Sequence, residues 1–111
     1  MIIAEMTEQT QQFLNLTVPG NQGLDAKVRQ LIEAEHLRKL AQYRRTDLAL
    51  ARKYGMGFEE FLTRRIPRQQ DYSWEVEQDA MAWESAIGGM ITVERQLREL
   101  RELHDWISGS S

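Results

Sequence analysis

Cysteine is absent from this 111-residue chain, and histidine and proline occur only twice each. Without cysteine there is no disulfide framework, no thiolate nucleophile and no cysteine-based zinc site. The histidines, His36 and His104, stand far apart and neither falls in an H-E-x-x-H spacing, so each reads as a surface or edge side chain. Long apolar runs are also missing. The longest uncharged stretch, Gln9 to Leu24, contains Gln, Asn, Thr, Pro and Gly and is too polar to span a bilayer. Glu5 interrupts the start and no basic segment precedes an apolar run, so we expect no secretion signal and a cytoplasmic location. No glycine-rich phosphate loop follows a strand, and the paired Glu59 and Glu60 read as a charged helix start rather than an acid/base couple. These absences lead us to expect a non-enzymatic protein with no cofactor, no metal and no small-molecule substrate.

What is present is a chain of one domain at most, 28% charged and 41% hydrophobic, a balance that opposes wholesale disorder. The net charge of −3 hides an asymmetry. Residues 1–70 hold 11 basic and 8 acidic side chains, net +3, whereas residues 71–111 hold 3 and 9, net −6. Unevenly charged solvated faces would account for this; so would two surfaces for two partners, the acidic one suited to a basic partner.

The pattern predicts a mainly α fold with four parts. Residues 1–23 form an N-terminal segment in which Leu14, Leu16 and Val18 alternate with Asn15 and Thr17, the signature of a short strand at 13–18 closed by Pro19-Gly20. A lone strand lacks a ladder partner, which implies an extended homodimer ribbon or addition to another sheet edge. Residues 24–68 are helical. A long helix runs from Leu24 to Tyr54, either continuous or broken near 45–47, where Thr46 or Asp47 offers a cap. Gly55 is placed as its left-handed stop, a short helix covers 58–65, and Pro67 ends it. Residues 71–107 form an acidic amphipathic helix, with 108–111 a polar tail. Within it Gly88-Gly89 marks a bend or a place of close approach, since each glycine costs about 1 kcal/mol against alanine.

Two constellations merit weighing. The cations Arg38, Lys39, Arg44, Arg45, Arg52 and Lys53 recur along the long helix and continue in Arg64, Arg65 and Arg68. They suit a solvated face whose stems cover apolar neighbours, or a phosphate-contacting stripe. A polar-faced strand followed by a helix opens a ribbon-type DNA reader, so operator DNA is one expected partner, with Asn15, Thr17, Arg44 and Arg45 as its contacts. In the acidic helix Trp74, Trp83 and Trp106 stand with Tyr72 and Met81. In a folded monomer such rings are core; rimmed by carboxylates at an interface they are anchors.

The run Lys53-Tyr54-Gly55-Met56, Phe58-Glu59-Glu60-Phe61, preceded by Tyr43 and Thr46-Asp47, is followed by Tyr72-Ser73-Trp74-Glu75-Val76-Glu77, Asp79-Ala80-Met81 and Trp83-Glu84. From about Leu37 to Arg101 this pattern resembles a group of small bacterial antitoxins from type II toxin–antitoxin modules. Gly57 stands where that group usually has serine, which weakens the helix cap by a few tenths of a kcal/mol. The resemblance implies a protein encoded beside a small toxin, often a ribonuclease, which it masks by direct binding. We therefore expect an antitoxin whose cognate toxin is basic, and a homo-oligomer. Its toxin-binding surface would use Phe58, Phe61, Tyr72, Trp74, Glu75, Glu77, Asp79, Trp83, Glu84, Ile87 and Met90. A ribbon-type DNA-binding repressor and a plain helical adaptor are the alternatives.

Overall fold

A computed structural model describes residues 6–71 and 73–109. It contains α1 (Glu8–Thr17), α2 (Leu24–Tyr54), α3 (Phe58–Thr63), α4 (Ile66–Gln69) and α5 (Trp74–Gly109), and no strand among the described residues. The chain divides into two compact units, Met1–Glu35 and His36–Ser111.

In the first unit the expected strand at 13–18 is replaced by helix. Thr7 caps α1 by accepting the Thr10 amide on its hydroxyl at 3.2 Å, and the Glu8–Gln12 run favours helix once that cap exists. Leu14 and Val18, four apart, are buried together, whereas Leu16 is 77% exposed. A period-two reading of 14, 16 and 18 contains the helical pair 14 and 18, and a helix satisfies its own backbone where a single strand does not. The implied ribbon disappears with the strand. Lys27, only 4% exposed, donates to Asn15 Oδ1 at 2.8 Å, and the Thr17 hydroxyl donates to the Phe13 carbonyl at 2.8 Å. Asn15 and Thr17 thus make local contacts within the unit.

In the second unit α2 and α5 run antiparallel, because pairs between them step in opposite directions along the chain. Lys53 meets Glu75 and Asp79, Asp47 meets Trp83, and His36 meets Gln96. One core cluster holds Leu50, Phe61, Ile66, Val76 and Trp83; the other holds Leu40, Val93 and Leu97, with Tyr43 and Met90 against them. The first clamps α3 and α4 onto the open end of the helix pair.

Several expectations about boundaries change. α2 is unbroken at 45–47: the Thr46 hydroxyl donates to the Gln42 carbonyl at 3.3 Å, and Asp47 turns inward instead of capping. Gly55, at φ +67°, is the left-handed stop, with the Met56 amide closing back on the Ala51 carbonyl at 3.2 Å. The short helix ends at Thr63 rather than 65, and Arg65 at φ +54° turns the chain. Pro67 does not end that helix; it sits in the first turn of α4, where its missing N–H costs nothing.

α5 continues through Gly88-Gly89. A Cβ at Gly89 would lie 2.5 Å from the Tyr43 ring, while Gly88 has open space around it. Gly89 therefore marks a close approach and no bend is needed. The two glycines should separate cleanly in urea unfolding. Gly88→Ala is expected to stabilise by about 0.5–1 kcal/mol through helix propensity. Gly89→Ala is expected to destabilise by roughly 1–3 kcal/mol through overpacking against Tyr43.

Candidate functional site: the outward face of α5

The residues that carry the sequence resemblance meet at the end of the α2–α5 pair, and they meet inward. Trp83 and Phe61 are completely buried. Their rings lie 5.0 Å apart, with Phe58 at 5.4 Å and Tyr54 at 6.0 Å from the indole, and Tyr54 edge-on to Phe61 at 4.9 Å. Such aromatic pairs add about 0.5–1.5 kcal/mol each beyond their buried area. The Trp83 indole N–H donates to Asp47 Oδ1 at 2.8 Å, so the one polar atom of this side chain is satisfied. Phe61 and Trp83, expected as toxin anchors, have no surface to offer a partner. Phe58 and Ile87 are half-buried against the same cluster, and Met90 against the second one.

Beside the aromatic cluster lies a polar clasp. Lys53 Nζ donates to Glu75 Oε1 and to Asp79 Oδ2, each at 2.6 Å, and the Tyr54 hydroxyl donates to Asp79 Oδ2 at 2.6 Å. Burial works to raise the Asp79 carboxyl, but the hydrogen bonds from Lys53 and Tyr54 outweigh it and hold the group below its usual range. The same bonds, to Asp79 first and then Glu75, push the Lys53 ammonium above its ordinary value. Burial, followed by the bond to Asp79, pushes the Tyr54 phenol up to about 12. Glu75 and Asp79 are therefore engaged in joining helices.

The opposite side of α5 is different. Trp74 is 75% exposed and Met81 is 71% exposed. They stand seven residues apart, two helical turns, and so share one face. Trp74, Glu77, Gln78, Met81 and Ala82 line a shallow depression there, and Glu84 is exposed one turn further on. This face combines large apolar groups with free carboxylates and presents no cation between residues 74 and 94. It can take up an apolar group of a partner while attracting positive charge around it. Tyr72 lies outside the described residues. Of the cations once paired with Asn15 and Thr17, Arg44 stands 4.0 Å from Glu94 and Arg45 is exposed. Among the described residues no three His, Asp or Glu side chains gather to hold a metal ion, and no helix is long and apolar enough to cross a membrane.

Met81 was not singled out as a site residue from sequence. The signal was available: positions 74 and 81 share a phase that position 83 does not.

The clasp yields a pH-dependent test. Because folding holds the Asp79 carboxyl below its unfolded value, its contribution is full above about pH 4 and drains away as pH falls through the depressed value. Asp79→Asn should cost about 1–2 kcal/mol at neutral pH in urea unfolding. The gap to the parent protein should close as the titration descends below about pH 3. No family model, curated protein or solved structure matches this chain.

Proposed function

We propose that this chain is a non-enzymatic, cytoplasmic antitoxin that neutralises a basic toxin, of the ribonuclease class, by direct binding through the outward face of α5. The observation that carries the binding surface is the exposure of Trp74 and Met81 on one anionic helical face. A solvated helix gains nothing from presenting an indole and a thioether side by side, whereas buried rings and methionines concentrate binding energy at interfaces. Glu77 and Glu84 flank them without an intrachain ion pair shown for either, and their charge suits a surface that otherwise holds phosphates. The antitoxin class itself rests on the resemblance in residues 37–101. The ribbon-type repressor has lost its element, since 13–18 is helix. A helical adaptor using the same face for a different basic protein is the second reading.

Co-expression with the protein encoded beside this chain separates the two readings. If that neighbour neither co-purifies nor loses toxicity, the antitoxin reading fails and the adaptor remains. If it binds, Trp74→Ser with Met81→Ser should weaken the complex by roughly 2 kcal/mol or more per anchor, with helix content unchanged by circular dichroism. Glu77→Lys with Glu84→Lys should chiefly slow association and flatten its dependence on salt. Full neutralisation by both double variants would remove this face from consideration. Trp83→Ala is the wrong probe, because it empties the core.

A further inference from the structure

Each helix of the second unit carries two parallel rows, of which only one is used. On α2 the inward row is Leu40, Tyr43, Asp47, Leu50 and Tyr54, spaced three and four. One position further along is a second row, Leu37, Ala41, Arg44 and Leu48, with Leu37 43% and Leu48 54% exposed. On α5 the same displacement from the inward row gives Ile87, Ile91, Glu94 and Arg98, with Ile91 63% exposed. Because the helices are antiparallel, a step of one residue turns both second rows to the same side of the pair. The contacts agree: Arg44 lies 4.0 Å from Glu94, and Leu37, Arg44, Glu94 and Arg98 line one shallow cavity. The other side is polar, a groove edged by Lys39, Ser85, Thr92 and Gln96. This apolar side is also distinct from the Trp74–Met81 face, which points away from α2.

We infer that this side is a self-association surface, on which a second copy of the chain packs to complete a four-helix bundle. The choice of occupant follows from charge. The patch is an apolar field with a cation on one ridge and an anion on the other at the same level. A two-fold axis along the helices lays each α2 against the α5 of the second copy, which sets Arg44 against Glu94 of that copy and Leu48 against its Ile91. A uniformly basic partner would oppose Arg44 and Arg98, and a uniformly acidic one would oppose Glu94; a second copy satisfies both signs at once. The arrangement also gives every helix two antiparallel neighbours, which is what two apolar rows per helix require. It leaves Trp74 and Met81 on the outside of the bundle.

The test is sedimentation of the full chain over a concentration series, with circular dichroism as a control for folding. The parent chain should be dimeric. Arg44→Glu and Glu94→Arg alone should each weaken self-association by about tenfold or more, since each places like charges across the axis. An equimolar mixture of the two should restore the dimer, because every contact then joins opposite charges. Ile91→Lys, at a site largely exposed within one chain, should give a folded monomer. A parent chain monomeric at every concentration overturns the proposal. So does a mixture no tighter than its components, or a dimer that survives Ile91→Lys and dissolves on Trp74→Ser with Met81→Ser.

Discussion

The hydrogen bond from the Trp83 indole to Asp47 sets the register of the second unit. A fully buried indole N–H left without an acceptor costs roughly 1–3 kcal/mol, and a carboxylate turned into a helix interface without a donor costs at least as much. Sliding α5 along α2 by even one turn would strand both groups. The Lys53–Asp79–Tyr54 clasp, one turn nearer the α5 N-terminus, enforces the same alignment from the rim. Between them Phe61 fills the gap left where α2 stops, and so fixes α3. Orientation follows from register. With Trp83 held inward, Trp74 lies nine residues back, about two and a half turns, and must point outward, as must Met81 two residues away. The exposed aromatic face is a geometric consequence of the buried one.

That coupling explains what the sequence could and could not reveal. Periodicity located the long helices, and Gly55 announced its left-handed stop, because both are local properties of backbone and spacing. Gly88-Gly89 flagged a close approach for a local reason too: glycine in a helix interior needs an explanation from outside the helix. Trp74 and Trp83 were harder. Both sit in an acidic amphipathic stretch, and deciding which is core needs the partner helix and the register, neither of which a single helix encodes. Asp47 failed for the same reason. As a local signal it reads as a cap; only the indole opposite makes it an interior acceptor. The segment 13–18 failed differently. Three alternating residues satisfy a strand and a helix equally, and the Thr7 cap upstream, rather than anything within the segment, decides between them.

The pattern shared with the antitoxin group acquires a physical meaning from this geometry. Lys53, Tyr54, Phe58, Phe61, Asp79 and Trp83 are the groups that join α2, α3 and α5. They specify a scaffold. Trp74 falls at a position that the pattern leaves open, so the side chain most available to a partner is the one least dictated by the fold.

α5 serves three directions at once because a helix has more than one face. Its inward row buries Val76, Trp83, Ala86, Val93 and Leu97; its outward face carries Trp74 and Met81; the row between them carries Ile87, Ile91 and Glu94. A sequence obeying only the inward requirement would place polar residues everywhere else. The chain instead keeps isoleucine on the side row and an indole on the outer face, while solvated residues separate the two. Burying apolar groups is the dominant favourable contribution to association, and leaving them in water forgoes about 25 cal/mol for every Å² exposed. Two exposed apolar surfaces of different character on one helix therefore argue for two separate contacts. One has the charge balance of a surface facing its own kind; the other has the single-signed charge of a surface facing something basic.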